Sequence, residues 1–306
     1  MTRDLKAIKK LWSQKAAEDF EERQLYNWMN HPFIDKYYIN EKVSGRPEAN
    51  WVEYLKEKYI PNKLALGLTL GCGSGALERH ALSIDICEAF EAFDIAEGAI
   101  EVARLEAQKI GSQPRVEYDV CDLNSIQLEA GRYDIVFGCS SVHHFKELEH
   151  IFSQVKQALK PEGFFVMNEF IGPSQFQWTA HQISLANQIL AILPNKYKER
   201  YSAPNHFKEY VEKPTIEFMN AFDPSEVIRS AEIIPILSQH FHIVERIDYG
   251  GTILHELLND IAGNFNPNIE EDRVILKMLC FIEETLIQNE VIPSDFTFLV
   301  AQNKAA

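Results

Sequence analysis

The chain has 306 residues, of which 46% are hydrophobic and 25% charged, a composition typical of folded globular proteins and not of disordered ones. Its 45 acidic and 30 basic side chains give a formal net charge of −15 at pH 7. This excess of negative charge argues against a protein that binds the phosphates of nucleic acids or the surface of an anionic membrane. The five cysteines include no CxxC pair, and the first residues contain no apolar signal segment. We therefore expect a soluble, cytoplasmic protein with reduced thiols and with no nucleic-acid or membrane partner.

The pattern of apolar residues divides the chain into two predicted parts. Residues 1–60 are charged and aromatic, with apolar side chains at helical spacing, and predict an N-terminal helical cap. Breaks in this pattern fall near Asn30–Pro32 and Ser44–Pro47. Residues 61–306 are predicted to form one larger domain.

Strands and helices alternate regularly in the first half of that domain. The pattern predicts strands at 64–70, 89–95, 115–120, 133–139 and 163–169, with helices at 75–82, 96–110 and 148–159 between them. Such alternation indicates an α/β fold, doubly wound, with a mostly parallel sheet and helices on both faces. After residue 172 the alternation stops, and we expect helical insertions at about 173–222 and 252–289. Residues 225–241 are also predicted to be helical, and two late strands are predicted at 242–249 and 296–301.

A glycine-rich turn follows the first predicted strand. The sequence GCGSG, from Gly71 to Gly75, lets the backbone approach a ligand closely and points helix N–H groups outward. The same letters fit the fingerprint G-x-G-x-x-A of dinucleotide-binding proteins. They also fit a tight strand-to-helix turn that binds nothing.

Polar residues follow the next three strands as well. Asp94 ends strand two, where a carboxylate can accept both hydroxyls of a ribose or, alternatively, stabilise the start of the next helix. Asp122 ends strand three, where it can accept from an adenine amino group or cap a turn. CSSVHHF follows strand four. Because the carboxyl ends of parallel strands form the binding crevice of such sheets, we expect these residues to converge.

From Leu64 to Phe170 the sequence resembles the class I S-adenosylmethionine-dependent methyltransferases. The resemblance is carried by LGCGSG, FDI, CDLN, YDIVFGCSSVHH and LKPEGFFVMNE, in that order and at the expected spacing. It implies a seven-stranded Rossmann-like sheet with an antiparallel final pair, S-adenosyl-L-methionine as cofactor and a small-molecule acceptor. It places Gly71 and Gly73 at the methionine, Asp94 at the ribose, Asp122 and Leu123 at the adenine, and the Cys139 backbone at the methionine amino group. The neighbouring residues Cys72, Gly75, Ile95 and Ser140 complete the implied cofactor site.

Acceptor chemistry is assigned to three residues near the same crevice. An oxygen or carbon acceptor needs a base, for which His143 or His144 is the candidate. The alternative is that one imidazole caps a helix and the other packs against the cofactor. Glu169, at the end of strand five, can orient an amine or hydroxyl, or is simply an exposed acid. No metal site is predicted, because the ten histidines include no HExxH and no cysteine pair supports zinc.

The aromatic insertions are predicted to roof the acceptor site. Trp178, Phe207, Tyr210 and Phe218 are expected to form an apolar wall, with His181, Arg229 and His255 as polar contacts. The alternative is that they thicken the core or cover a dimer surface, and a homodimer is left open.

Two other functions remain open at this stage. An NAD(P)-dependent oxidoreductase would use Gly71, Gly73 and Asp94 but would leave Asp122 and the late strand pair unexplained. A catalytically silent cofactor-binding protein would keep the fold without the reaction.

Overall fold

The computed structural model of the protein describes residues 8–13 and 27–303. Its centre is a seven-stranded sheet in the order β3-β2-β1-β4-β5-β7-β6. The strands are β1 (Leu64–Leu70), β2 (Cys87–Asp94), β3 (Val116–Val120), β4 (Tyr133–Cys139), β5 (Leu159–Phe170), β6 (Phe241–Gly250) and β7 (Phe296–Asn303). Strands β1 to β5 are parallel, and β7 lies between β5 and β6, antiparallel to both. The predicted α/β sheet and its antiparallel final pair are confirmed.

Helices cover both faces of the sheet. An N-terminal helix occupies residues 8–13. Helix α1 runs through the segments Pro32–Ile34, Asp35–Asn40 and Glu41–Ser44, the middle one being π-helical. The others are α2 (Trp51–Tyr59), α3 (Ala76–Ser83), α4 (Glu97–Lys109), α5 (Leu148–Ala158), α6 (Ala180–Ile192), α7 (Ile216–Phe222), α8 (Ile233–His240), α9 (Leu254–Leu258) and α10 (Glu270–Gln288). No helix in the described parts of the chain is long and apolar enough to cross a bilayer.

The sheet separates two hydrophobic cores because successive strand residues point to opposite faces. On β4, Phe137 belongs to one core and Val136 to the other, and both are fully buried. The core that contains Phe137 also takes in Trp28 and Leu55 from the N-terminal region. The helices before β1 therefore share a core with the sheet. Residues 1–7 and 14–26 of the predicted N-terminal cap lie outside the described residues.

The main departure from the predicted elements lies between α7 and β6. Residues 225–241 were predicted to be helical, but the α-helix there begins only at Ile233. The preceding segment is held in a loop, because Asp223 accepts hydrogen bonds from the backbone N–H and the hydroxyl of Ser225. The backbone N–H of Ile228 also donates to the carbonyl of His143, 3.1 Å away. The bonds between Asp223 and Ser225 compete with helix formation, and the backbone bond from Ile228 ties the loop to the segment after β4.

The turn from β1 into α3 depends on a glycine in a left-handed conformation. Gly71 has φ +74°, and its N–H donates to the carbonyl of Phe93 on the neighbouring strand, 2.8 Å away. A Cβ atom at Gly71 would lie 2.4 Å from the Cβ of Ser141. Two constraints therefore favour glycine there, the backbone conformation and the close approach of the segment after β4.

Gly45 provides a matched comparison, because it has φ +75° but nothing within 4 Å of an added Cβ. We expect Gly45→Ala to reduce the free energy of unfolding by about 1–2 kcal/mol, the cost of left-handed backbone alone. Gly71→Ala should lose about 1–3 kcal/mol more, since Ser141 must also be displaced. Urea unfolding of both variants measures the difference. Equal losses would show that the segment after β4 shifts without cost.

Candidate functional site

A pocket of about 580 Å³ opens at the carboxyl ends of the central strands, a volume in the range of sites for small molecules and cofactors. Its walls include Gly71, Gly73, Asp94, Ile95, Asp122, Leu123, Ser140, Ser141, His144 and Ser225, together with Ile8 and Trp12 of the N-terminal helix. Three of the predicted cofactor residues do not line it. The Cys72 thiol is buried and its pKa is raised by burial, Gly75 packs against Tyr118, and Cys139 is absent from the lining.

Asp94 is fixed at the edge of this pocket by the backbone. Its Oδ2 accepts the N–H of Gly73 and its Oδ1 accepts the N–H of Ala96, each at 2.8 Å. Burial raises the pKa of Asp94, and these backbone N–H groups oppose the rise. The carboxylate therefore joins the glycine loop to the start of α4, and each oxygen keeps a further lone pair for a ligand.

Asp122 caps a turn, which is one of the two roles that the sequence analysis considered for it. Its Oδ1 accepts the backbone N–H of Asn124 at 3.1 Å and so caps a short 3₁₀ turn that begins at Leu123. Asp122 and Leu123 nevertheless line the pocket. Structural and binding roles are compatible at this position, because a carboxylate can accept several hydrogen bonds.

Glu169, at the end of β5, organises the segment after β4. It is 1% exposed, and its Oε2 accepts the backbone N–H groups of Ser141 at 2.9 Å and Val142 at 2.7 Å. Its Oε1 makes a short contact with Nδ1 of His143. The predicted alternative of an exposed acid is therefore wrong, because the carboxylate is buried beneath the loop that it holds.

His143 lies between two carboxylates. Nδ1 contacts Glu169, and Nε2 lies 3.6 Å from Oε1 of Glu226. Burial by itself would lower the pKa of His143, but Glu169 and Glu226 outweigh it and raise the pKa to about 8. His143 thus carries one ring nitrogen fixed by the protein and one directed toward the loop after α7.

His144 is held by a second chain of contacts. Its Nδ1 lies 3.2 Å from Oγ of Ser225, and Ser225 donates its hydroxyl to Asp223 at 2.7 Å. Asp223 also accepts the indole N–H of Trp12 at 3.1 Å, and the Trp12 and His144 rings meet edge to face at 4.9 Å. The N-terminal helix therefore closes over the pocket through Trp12.

Sequence reasoning missed Asp223, Ser225 and Glu226 entirely. They lie on the loop after α7, separated along the chain from the histidine pair by β5 and three α-helices. No motif marks them, and Ser225 and Glu226 lie in a segment that the sequence predicted to be helical. Only the docking of that loop against the end of β4 brings them to the histidines.

The predicted roof of the acceptor site is partly wrong. Phe207, Tyr210 and Phe218 are 48%, 58% and 58% exposed and form no inner wall. His181 is exposed, and the guanidinium of Arg229 pairs with the carboxylates of Glu149 and Glu232. These corrections have one cause. The sequence alone does not show which side chains of an insertion face the protein interior and which face solvent.

The inner face of the insertions is formed by other aromatic residues around His255. Its ring centroid lies 5.5–6.1 Å from those of Phe170, Phe176, Trp178 and Phe296. Burial lowers the pKa of His255 to about 4, so the imidazole is neutral at pH 7. Its Nδ1 is buried and has no hydrogen-bond partner among the described residues.

A strained turn directs the ring of Phe176 inward. Gln175 and Phe176 have φ +51° and +52°, which is uncommon for residues other than glycine. The Phe176 ring stacks on Trp178 with centroids 4.9 Å apart, and the Trp178 indole donates to the buried Asp295 at 2.8 Å. Strain of this kind persists only where the surroundings enforce it.

Comparison with known proteins gives a family for the central segment. Residues 68–167 match the family model of a methyltransferase domain. The arginine-hydroxylase NDUFAF5, mitochondrial, of Homo sapiens is 28% identical over 145 residues, 44% of this chain and 40% of that protein. The sterol 24-C-methyltransferase of Candida albicans is 26% identical over 154 residues, 50% of this chain and 40% of that protein. The chain thus spans about 40% of the length of these relatives.

Solved structures share the fold over nearly the whole chain. A geranyl diphosphate C-methyltransferase from Streptomyces coelicolor A3(2), in complex with Mg²⁺, geranyl diphosphate and S-adenosyl-L-homocysteine, has a TM-score of 0.52 and 12% identity. The alignment covers 99% of this chain and 98% of that one. A geranyl diphosphate methyltransferase in complex with sinefungin gives 0.55 at 15% identity, with 98% and 99% covered. At such identities the likeness establishes the fold.

The residues that line the pocket fit S-adenosyl-L-methionine, the cofactor of such methyltransferases. Gly71 and Gly73 leave their side of the pocket without side chains, and Asp94 presents a fixed carboxylate beside them. Among the described residues that line the pocket, the carboxylates of Asp94, Glu106 and Asp122 face one guanidinium, that of Arg79, so these walls suit a cationic sulfonium. The match thus assigns residues 68–167 to a methyltransferase domain, and the strand order and the pocket agree with that assignment.

Proposed function

We propose that this protein transfers a methyl group from S-adenosyl-L-methionine to an oxygen, nitrogen or carbon atom of a small-molecule acceptor. The observation that carries the proposal is that the pocket lies next to a cluster of titratable side chains. His144 lines the pocket bounded by the glycine loop and Asp94. Its ring lies beside that of His143, which contacts Glu169 and Glu226.

Donor binding is assigned to the pocket residues. Gly71 and Gly73 would border the methionine, Asp94 the ribose hydroxyls, and Asp122 with Leu123 the adenine. The backbone at Cys139 and Ser140 would face the methionine amino group. The bound cofactor supplies a methyl group already activated by its sulfonium. The task of the protein is then to hold the acceptor in line and to exclude water, which the Trp12 contact over the pocket supports.

A hydrogen bond in the glycine loop argues against the dinucleotide alternative. In dinucleotide-binding proteins, backbone N–H groups near this turn are offered to a pyrophosphate. Here the N–H of Gly73 donates to Asp94, and two further carboxylates line the same pocket. A pyrophosphate would meet negative charge at this place. We therefore favour the sulfonium cofactor over NAD(P).

Acceptor activation is assigned to His143, His144 and Glu169. When bound, the cofactor would supply the methyl carbon, and its sulfur would keep the electron pair of the bond that breaks. An acceptor atom that carries a proton would give it to the imidazole of His143 or His144. Glu169 acts here as a positioning residue, because it fixes both the His143 ring and the backbone of residues 141–142.

The inner aromatic surface supports an acceptor with an apolar body. Phe170 follows Glu169 directly and contacts Phe176 and His255, so this surface continues from the histidine cluster. Sterol and geranyl diphosphate methyltransferases among the similar proteins are named for acceptors of this kind. We propose that residues 173–222 and 252–289 contribute this roof through Phe176, Trp178 and His255, while the N-terminal helix at residues 8–13 covers the donor side.

We also propose that the protein acts in the cytoplasm. Its five cysteines are all free, including the partly exposed Cys121 and Cys139, as expected in a reducing compartment. The net charge of −15 continues to disfavour a nucleic-acid partner.

The function is tested first by calorimetry with S-adenosylhomocysteine and NADH, and then by an untargeted methylation screen. We expect saturable binding of S-adenosylhomocysteine and none of NADH. Methyl transfer to any acceptor in the screen excludes a catalytically silent protein. Binding of NADH without S-adenosylhomocysteine would overturn the proposal.

We expect Asp94→Ala to weaken S-adenosylhomocysteine binding by about tenfold or more, because two ligand hydroxyls lose a charged acceptor. Asp119→Ala is the matched control, since Asp119 is an exposed acid at the end of β3 that pairs with Arg104. Calorimetry on both variants, with urea unfolding to verify the fold, gives the comparison. Unchanged affinity in Asp94→Ala would remove Asp94 from the cofactor site.

We expect His143→Ala to lose about 100-fold or more in kcat while it keeps its affinity for S-adenosylhomocysteine. His206→Ala, a change at an exposed histidine, should retain full turnover. Kinetics at saturating cofactor with an acceptor from the screen measure both. Loss of cofactor affinity with kcat preserved would make His143 a binding residue, and no change in either would leave it a structural one.

We expect Phe176→Ala to raise KM for the acceptor by about tenfold, because a partly buried aromatic contact is lost, without changing cofactor affinity. Phe218→Ala removes the same side chain from the outer face of the same insertion, where Phe218 is 58% exposed. It should leave KM unchanged. If the two variants have the same KM, the inner aromatic surface is not the acceptor wall.

A further inference from the structure

We propose that His143, His144 and Glu226 form a binding site for a divalent transition metal at the mouth of the donor pocket. Each of the three residues offers a ligand atom, one ring nitrogen or one carboxylate oxygen, and these atoms all lie within 4.8 Å of one another. It is the one such group found in the described parts of the chain. The sequence argument against a metal relied on short ligand motifs, and it does not apply to ligands brought together by the fold.

The hydrogen-bond partner of Nδ1 in His143 is of the kind found at metal-binding imidazoles. Metal-bound histidines usually donate their other ring N–H to a carboxylate or carbonyl, which fixes the ring orientation and the tautomer. Nδ1 of His143 is held by Glu169, which is itself fixed by the backbone N–H groups of Ser141 and Val142. With Nδ1 so occupied, Nε2 is the nitrogen directed toward Glu226, 3.6 Å away.

His144 has an equivalent set of contacts from a different part of the chain. Ser225 donates its hydroxyl to Asp223, so its oxygen accepts the proton on Nδ1 of His144. This hydrogen-bond network assigns the tautomer of a neutral His144 with its lone pair on Nε2. Asp223 is 1% exposed and also accepts from the backbone N–H of Ser225 and from the Trp12 indole. Both imidazoles are therefore oriented by buried carboxylates, directly or through a hydroxyl.

Two imidazoles and one carboxylate favour a particular class of metal. Imidazole suits Zn²⁺, Fe²⁺ and neighbouring ions, whereas Mg²⁺ and Ca²⁺ prefer oxygen ligands throughout. Sites with two histidines and one glutamate keep a coordination position open for an external ligand. His144 and Ser225 also line the donor pocket, so that open position would face the place where an acceptor must approach. The role of holding an acceptor oxygen rests on the proposed function, but the metal site itself does not.

The test uses the purified full-length protein without a histidine tag, stripped with EDTA and titrated with Co²⁺ under optical detection and with Zn²⁺ by calorimetry. We expect one equivalent to bind. His144→Ala and Glu226→Gln should each weaken binding by at least about tenfold, because each removes a ligand. His206→Ala and Glu217→Gln change an exposed histidine and an exposed glutamate and should bind as the wild type does. Urea unfolding verifies that each variant is folded.

Two further measurements test the arrangement around the ligands. Ser225→Ala should weaken metal binding by about 10- to 100-fold, the usual effect of removing an outer hydrogen-bond partner. S-adenosylhomocysteine should alter the Co²⁺ spectrum, because His144 lines the pocket that it would fill. No saturable metal binding, or equal metal affinity in Glu226→Gln and wild type, would overturn the site. A Co²⁺ spectrum that stays unchanged when S-adenosylhomocysteine is shown by calorimetry to bind would also overturn it.

The experiments distinguish a failure of the metal site from a failure of the proposed function. If S-adenosylhomocysteine binds and methyl transfer proceeds in EDTA while no metal binds, the metal site is wrong and the function stands. If the metal binds as expected but S-adenosylhomocysteine does not, the metal site stands and the function is wrong.

Discussion

The candidate site depends on one buried carboxylate at the end of β5. Glu169 holds two backbone N–H groups and one imidazole of the segment after β4, and it is almost fully excluded from solvent. Removing a charged acceptor from such a place would leave those donors unpaired in a poorly solvated environment, which is costly. The conformation of residues 141–143, and with it the wall of the donor pocket facing Gly71, therefore follows from this side chain.

A second carboxylate joins three distant parts of the chain at the same place. Asp223 binds Ser225 in its own loop, Ser225 contacts His144 after β4, and the Trp12 indole donates to Asp223 from the N-terminal helix. Occupation of the donor pocket, closure by the N-terminal helix and orientation of His144 are thus physically linked. Together with Glu169, Asp223 fixes the orientation of the two imidazoles at the edge of the proposed donor pocket.

The parallel sheet and the pocket residues on it were predictable because their signals are local. Tyr133–Cys139 is an uninterrupted apolar strand, and Asp94 ends a strand at the usual distance from the glycine turn. Residues at successive strand ends must meet at one edge of a parallel sheet, so the strand order brings Gly71, Asp94, Asp122 and Ser140 together. No comparable rule predicts which residues of the insertions come together. Phe218 and Phe176 are both aromatic residues in one insertion, yet one is exposed and the other contacts His255.

By itself, the sequence determined the α/β class, the positions of the first five strands along the chain and the residues that the strand ends would present, since apolar periodicity and glycine turns act over a few residues. The tertiary structure alone decided that Glu169 is buried and that the loop of Asp223, Ser225 and Glu226 meets the histidines. It also decided which face of the insertions is internal. Those outcomes depend on contacts between segments far apart in the chain, whose free energies come from burial and from hydrogen bonds between partners that no local pattern connects.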